Sequence, residues 1–152
     1  MKLSTRSRYA VMAMIDLAQL EIDNGQSCVP ISLISRRQGL PSQYIEQLFS
    51  KLRKGELIKS TRGINGGYAL ARDANDIRIY DIILAADKPV KVVRCNAKAT
   101  NGCHTSGKRC NSHQLWHELE LVMHGYLAQV SLGDVISGRN HHPSVVLSRK
   151  ES

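Results

Sequence analysis

The sequence predicts a mostly α-helical protein with one small β-hairpin. Apolar residues recur every three or four positions in three separate segments, and this spacing buries one face of a helix. Two short strand-like runs, LIKST and YALA, flank a glycine-rich turn between residues 57 and 71. With 152 residues, 42% of them hydrophobic, the chain is long enough to fold as one domain around a real core.

Two helices are predicted in the first forty or so residues. Ser4 or Thr5 can cap a first helix that runs to about Ile22, where the segment NGQSCVP breaks it with Asn-Gly and Pro. A short second helix follows in SLISRRQ and stops at Gly39.

The third helix is predicted in LPSQYIEQLFSKLRKGEL, where Pro41 and Ser42 are start signals. We expect Gly55 to end it in the left-handed conformation. Its buried stripe is predicted at Ile45, Leu48, Phe49 and Leu52. The residues predicted to face outward are Gln43, Glu46, Gln47 and Lys51.

Two short helices with a tight break between them, followed by a hairpin, are the order of a winged helix-turn-helix domain. This hairpin is called the wing. Its turn contains Arg62, Gly63, Asn65, Gly66 and Gly67. The polar face of the third helix is narrow enough for a major groove, and the basic hairpin can lie against the adjacent phosphates or minor groove. A further short helix in DANDIRIYDIILAAD, with Ile79, Ile82 and Ile83 inward, would close the domain.

The charge of the chain favours a polyanionic partner. The net charge is +8 with a pI near 9.6, and residues 1–72 carry +6 of it against +2 for residues 73–152. We therefore expect the first half to bind nucleic acid. One alternative is that the charge forms only a solvated basic surface, and another is that this half is a small structural α+β domain without a nucleic-acid role.

A second long helix is predicted from Asn111–Ser112 onward. About five turns of it carry an apolar stripe, and little chain remains to cover that stripe. We expect a second copy of the chain to cover it in a homodimer, the alternative being that the helix folds back on its own domain. SLGDVI reads as one more helical turn. The predicted dimerisation residues are Leu115, Leu119, Val122, Tyr126 and Val130.

These elements divide the chain into four parts. We predict a winged helix-turn-helix domain at 1–90, a ligand loop at 91–112, a dimerisation helix with a short following helix at 112–136, and a flexible tail at 137–152. No apolar run approaches the roughly eighteen residues needed to span a bilayer. No secretory signal is recognised either, so we expect a cytoplasmic protein without a membrane partner.

Three of the four cysteines fall in the polar stretch RCNAKATNGCHTSGKRCNSH, residues 94–113. In a reducing cytoplasm, clustered cysteines bind metal or sense redox more often than they form structural disulfides. Cys110-x-x-His113 is a plausible zinc half-site, but Cys95 and Cys103 lack the short spacing typical of structural zinc. The spacing of the cysteines therefore does not decide between three kinds of site: a zinc site, a thiol-redox switch and an iron–sulfur site. No paired-carboxylate, nucleophile–base or phosphate-loop motif predicts an enzyme.

Four segments together resemble the Rrf-two family of winged helix-turn-helix transcription regulators, and within it the branch of iron–sulfur cluster regulators. They are MKLSTRSRYAVMAMIDLA, GLPSQYIEQLFSKLRK, RGINGGYAL and the cysteine stretch running into HQLWHEL. The resemblance covers residues 1 to about 136. It implies a homodimeric regulator of cluster-assembly genes that binds promoter DNA and holds a 2Fe–2S cluster through three cysteines and a histidine.

The resemblance also implies roles for individual residues. The cluster ligands would be Cys95, Cys103, Cys110 and His113, with His104 as the alternative fourth ligand. Related sensors carry an acidic ligand near position 8, where this chain has Arg8, and this favours the histidine-ligated branch.

For DNA, the resemblance implies contacts from Tyr44 and Glu46 on the recognition helix and from Arg62 in the minor groove. Gln43 stands where a regulator of this branch carries a smaller hydroxyl side chain, so the resemblance does not extend to the base preference at this position. Cluster-assembly scaffold proteins would be the cluster donors. The alternative functions are a zinc-binding or thiol-redox winged-helix regulator, or a cluster-carrying protein without a DNA role.

Overall fold

A computed structural model of the protein describes residues 3–25, 27–93 and 108–139. Its six α-helices, one hairpin and one short 3-10 turn follow the predicted order of elements. The elements are α1 Thr5–Asn24, α2 Ile31–Gln38, α3 Ser42–Lys54, β1 Ile58–Thr61, β2 Gly67–Leu70, the 3-10 turn Ala74–Asp76, α4 Ile79–Ala86, α5 His113–Gln129 and α6 Leu132–Ile136. The predicted mostly helical fold with a hairpin wing is therefore confirmed.

Helix α1 forms the centre of the fold. Ser4 caps it as predicted, because its hydroxyl oxygen accepts from the backbone N–H of Ser7 at 3.0 Å. The helix ends at Gly25, whose φ of 58° is left-handed. Its inward face packs against α2, α3, α4, α6 and β2. Its buried residues include Ala10, Ala13, Met14, Leu17 and Ala18.

Helices α2 and α3 form the predicted helix-turn-helix. Gly39 has a left-handed φ of 63°, and the N–H of Leu40 donates to the carbonyl of Ser35 at 3.1 Å, so α2 stops abruptly before Pro41. The predicted stripe of α3 is fully buried, with Ile45, Leu48, Phe49 and Leu52 each at most 1% exposed.

The predicted end of α3 was wrong in one respect. Gly55 has φ −80°, and the left-handed residue is Glu56, at φ 59°. The Glu56 conformation lets the N–H of Leu57 reach back to the carbonyl of Leu52 at 3.0 Å, which closes the helix one residue later than predicted. Gly55 serves another purpose: a Cβ at this position would lie 2.8 Å from Cβ of Ala85, so glycine lets α3 approach α4 closely.

The wing has a third strand-like segment that the sequence did not reveal. β1 and β2 pair antiparallel, with Ile58 opposite Leu70 and Thr61 opposite Gly67. Val29 also pairs with Tyr68 through two backbone hydrogen bonds of 2.8 Å each. A Cβ on Gly67 would collide with the Val29 carbonyl, so glycine permits this pairing.

The end of α5 and helix α6 return to the core of the winged domain. The N–H of Ile79 donates to the Val130 carbonyl at 3.0 Å, and the N–H of Leu132 donates to the Ile77 carbonyl at 2.8 Å. Ser131 and Asp134 cap α6 reciprocally in a capping box. Leu132 is fully buried. Among the described residues, no helix is long and apolar enough to cross a membrane.

Candidate DNA interface and ligand arm

The outer face of α3 presents polar side chains in the predicted pattern. Gln43, Glu46 and Gln47 are exposed. Tyr44 is half-buried, and its ring meets the ring of Tyr9 edge-on with centroids 6.0 Å apart, which fixes the start of α3 against α1. An amphipathic helix with amide, hydroxyl and carboxylate groups on its free face can read base edges in a major groove.

Lys51 faces outward less than predicted. Its side chain is half-buried, and its ammonium donates to the backbone carbonyl of Ala86 at 3.1 Å. Ala86 is the last residue of α4, and the carbonyls at the C-terminus of a helix attract a cation. The contact joins α3 to the point where the chain leaves the winged domain.

The wing is attached to both neighbouring helices. The rings of Tyr68 on β2 and Phe49 on α3 lie edge to face at 5.0 Å, and Arg53 of α3 donates to the Ser60 hydroxyl at 3.2 Å. From the other side, the Glu21 carboxylate of α1 accepts from the N–H of Leu70 at 2.7 Å. Burial raises the pKa of Glu21, while this hydrogen bond and the ammonium of Lys59 oppose the rise. These contacts hold the wing in a fixed place beside α3.

The tip of the wing is a tight, exposed turn. The N–H of Gly66 donates to the Gly63 carbonyl at 2.9 Å, and Gly63 has a φ of 118°, which an L side chain rarely adopts. Arg62, just before this turn, is exposed, as a minor-groove contact requires. An open cleft of about 520 Å³ separates the turn from the start of α2, and its lining includes Cys28, Leu33 and Ile64.

An ion pair that the sequence did not predict joins α2 to α1, with its carboxylate buried and its guanidinium half-exposed. Arg37 on α2 donates from Nε to the Asp16 carboxylate at 2.7 Å, and Asp16 is 7% exposed. The second carboxylate oxygen of Asp16 has no hydrogen-bond partner among the described residues. Asp16 interrupts an apolar run in the sequence, and an isolated acid on an otherwise buried helix face was the available signal for a paired charge.

Two of the four predicted cluster ligands lie in the described part of the chain, at the start of α5. The N–H of His113 donates to the Cys110 carbonyl at 3.0 Å, and the Cys110 sulfur lies 3.5 Å from the Ser112 hydroxyl. His113 occupies the first turn of α5, as predicted, and is 9% exposed. Cys95, Cys103 and His104 fall outside the described residues. The described ranges contain no group of three His, Cys, Asp or Glu side chains placed to hold a metal.

The chain that leads toward the cysteine stretch runs along α5. A ring nitrogen of His124 lies 2.7 Å from the Val90 carbonyl, and the N–H of Val92 donates to the Glu120 carboxylate at 3.4 Å. The His124 ring also lies 5.1 Å from the ring of Tyr80 on α4. The predicted ligand loop therefore begins beside α5, where residues 90–92 contact the helix, and ends at the first residue of the same helix.

Helix α5 packs one face on its own domain and leaves another face accessible. Met123 and Leu127 pack against the core. On the predicted dimerisation stripe, Leu115 is 59% exposed and Tyr126 is 38% exposed, with Leu119 and Val122 half-buried between them. The last stripe position differs: Val130 follows α5 and is buried in the chain's own core, because the backbone bends there to reach Ile79.

Comparison with known proteins agrees with this architecture. Residues 3–138 match the model of the Rrf2 family, described as an iron-dependent transcriptional regulator. The HTH-type transcriptional regulator IscR of Photobacterium profundum is 44% identical over 140 residues, which are 92% of this chain and 78% of that protein.

Two solved structures share the fold over nearly the whole chain. IscR of T. potens superposes with a TM-score of 0.71 at 33% identity, covering 92% of this chain and 89% of that one. CymR, the global cysteine regulator of B. subtilis, superposes with a TM-score of 0.74 at 28% identity. The match covers 92% of this chain and 99% of that one.

The names of these relatives are those of transcription regulators, which confirms the expectation that the chain is a regulator and not an enzyme. The family model spans both the winged domain and the long helix that follows it. The chain belongs to the Rrf2 family of transcriptional regulators.

Proposed function

We propose that this chain is a homodimeric, DNA-binding regulator that senses iron–sulfur status through a 2Fe–2S cluster and controls genes for cluster assembly. The observation that carries the proposal is the joint presence of a basic winged helix-turn-helix and of Cys110 and His113 together at the start of α5. The similarity to proteins named IscR supports the same assignment.

The DNA half of the proposal rests on shape and charge. Helix α3 offers Gln43, Tyr44, Glu46 and Gln47 to a major groove, and Arg62 on the wing can enter the neighbouring minor groove. Lys51 would contribute positive charge near the backbone while bound to Ala86. The net charge of +6 on residues 1–72 attracts the phosphates of DNA, and this attraction does not depend on base sequence.

The donor set fits an iron–sulfur cluster as far as the described residues reach. Cys110 and His113 are separated by less than one helical turn, and their backbones are joined by a hydrogen bond of 3.0 Å. The backbone at the start of α5 therefore carries one thiolate donor and one imidazole donor close together. Cys95 and Cys103 would complete the set from the loop. A cluster with one imidazole in place of a thiolate carries less negative charge and supplies one-electron redox chemistry at a higher potential.

The dimer would form through the accessible face of α5. Leu115, Leu119, Val122 and Tyr126 recur at helical spacing, and two of them are large apolar side chains in contact with solvent. A second copy can cover this face by an isologous contact, in which each helix buries the same stripe of the other. Two winged domains would then read two half-sites of a promoter.

The cluster site and the DNA site are joined by a short run of contacts. Lys51 of the recognition helix holds the Ala86 carbonyl, and four residues later Val90 contacts His124 of α5. A cluster bound at the start of α5 would bias this segment and so alter DNA affinity, which is a coupling free energy between two sites. The regulator acts in the cytoplasm, and cluster-assembly scaffold proteins would supply its cluster.

A duplex-binding titration against salt tests the DNA half of the proposal. Anaerobically isolated protein should bind duplexes selected from genomic fragments, and its affinity should fall steeply as salt rises because phosphate-bound counterions are released. A cluster-carrying protein without a DNA role would bind no fragment even at low salt. A zinc-binding regulator would bind DNA but would contain zinc in place of iron and sulfide.

A further inference from the structure

The most exposed of the large apolar side chains in the described ranges is Ile64, at the tip of the wing. Its relative exposure is 105%, so the whole side chain projects into solvent. It stands two residues after Arg62, on a hairpin whose other exposed residues include Lys59 and Ser60. Isolated apolar side chains are common on protein surfaces, so exposure alone does not give Ile64 a function.

The turn that carries Ile64 is built to hold it in place. Gly63 and Gly66 close the turn by a 2.9 Å hydrogen bond, and Ile64 and Asn65 occupy its two central positions. A Cβ on Gly66 would collide with the Thr61 carbonyl, so the glycine permits a very compact tip. Central turn positions favour Gly, Pro, Asn, Asp and Ser, so local turn chemistry does not explain a branched apolar residue here.

The position of this tip relative to α3 is fixed by contacts of the two strands that carry it. Tyr68 pairs with Val29 on one side of the sheet and its ring packs on Phe49 of α3, at 5.0 Å between centroids. Arg53 of α3 also holds Ser60 of β1. When α3 lies in a major groove, the tip with Arg62 and Ile64 is therefore carried as one body toward the adjacent groove.

We propose that Ile64 enters the minor groove beside Arg62 and makes the wing sensitive to the 2-amino group of guanine. This inference rests on the proposed DNA-binding function. In the minor groove an A·T pair presents only acceptors, whereas a G·C pair adds the guanine amino donor. An apolar side chain packed there leaves that donor without a partner and collides with it, but it fills the groove of an A·T step and can wedge it open.

The test uses a duplex selected for tight binding from a random pool by the full-length, anaerobically isolated protein. Each base pair near the wing is then made A·T, G·C or inosine·C, because inosine lacks the 2-amino group while keeping the major-groove edge of guanine. At one or two adjacent pairs, the wild-type protein should bind A·T and inosine·C alike and G·C about tenfold more weakly.

Two variants assign that discrimination to Ile64. Ile64→Ala should bind the A·T duplex about tenfold more weakly, with G·C binding changed little, since the buried apolar contact is lost. Ile64→Asn, whose side-chain carbonyl can accept from the guanine amino group, should lose or reverse the preference. Ile22→Ala is the matched control, because Ile22 is 64% exposed on α1 and should leave all three affinities unchanged.

Thermal unfolding shows whether the Ile64 variants fold as the wild type does. We expect equal melting temperatures, because the Ile64 side chain is fully exposed. Equal binding of A·T and G·C by the wild type at every wing-proximal pair overturns the inference while the DNA-binding function stands. An unchanged A·T to G·C ratio in Ile64→Ala and Ile64→Asn overturns it as well. If no duplex is selected at all, the proposed function fails and the inference fails with it.

Discussion

Arg37 donates from Nε to the buried carboxylate of Asp16 at 2.7 Å, and this ion pair joins the first helix of the helix-turn-helix to α1. The pair spans 21 residues of sequence, and the Arg37 side chain is 48% exposed. Asp16 itself is almost fully enclosed. The pair therefore links α2 to the central helix by a polar contact, beside the apolar packing between the two helices.

Removing Arg37 should destabilise the fold more than removing its neighbour. Arg37→Ala leaves the Asp16 carboxylate buried without a cation, and we expect a loss of about 1–3 kcal/mol in the free energy of unfolding, reduced from a fully buried pair because Arg37 is half-exposed. Arg36→Ala is the control, since Arg36 is exposed on the same helix. Urea unfolding measures both, and equal stabilities of the two variants would show that the pair contributes nothing.

Two glycine-to-alanine changes should act in opposite directions. Gly67→Ala places a methyl group against the Val29 carbonyl, so the third strand-like segment must separate from the wing, and a loss of about 2 kcal/mol is expected. Gly125→Ala lies in the interior of α5, where no other part of the described chain comes within 4 Å of the new Cβ, and should stabilise by about 0.5–1 kcal/mol. A shift of melting temperature in the same direction for both variants would contradict this account of the wing.

Charge on the accessible face of α5 should break the proposed dimer. Leu115→Glu places a carboxylate on the stripe that a second copy would bury, so the monomer should predominate at micromolar concentration. Leu121→Glu is a matched control, because Leu121 is 57% exposed, against 59% for Leu115, on a different side of the same helix. Light scattering after gel filtration gives the mass of each. A monomeric wild type, or equal masses of the two variants, would remove this stripe from the interface.

His113 should matter for cluster retention and not for folding. His113→Ala removes the predicted fourth ligand at the start of α5, so the visible absorbance of anaerobically isolated protein should fall or decay several-fold faster in air. His104→Ala and His117→Ala are the comparisons, since one is the alternative ligand and the other lies one turn further along α5. Retention lost in His104→Ala but kept in His113→Ala would transfer the role to His104.

Much of the helical framework was predictable because local chemistry and burial agree there. The stripe of Ile45, Leu48, Phe49 and Leu52 follows from periodicity, and Ser4 follows from N-cap chemistry. The hairpin followed from a run of turn residues between two strand-like segments. These features depend on residues that lie within a few positions of one another.

The features that were missed depend on approaches between distant segments. Val29 pairs with Tyr68 by a single bridge, which has no period to detect, and the pairing of Asp16 with Arg37 joins two helices. The left-handed residue after α3 is Glu56, whereas Gly55 lies where a Cβ would meet Ala85 of another helix. Val130 continues the stripe spacing of α5, but the backbone has left the helix there and buries it in the core.

The central claim is that this winged regulator holds an iron–sulfur cluster, and its metal content tests that claim most directly. Anaerobically isolated, full-length protein should contain iron and acid-labile sulfide in equal amounts, about two of each per chain, with a visible-region cluster spectrum. Zinc should be nearly absent. Protein that contains stoichiometric zinc, or that has neither iron nor sulfide after anaerobic isolation and reconstitution, would contradict the account.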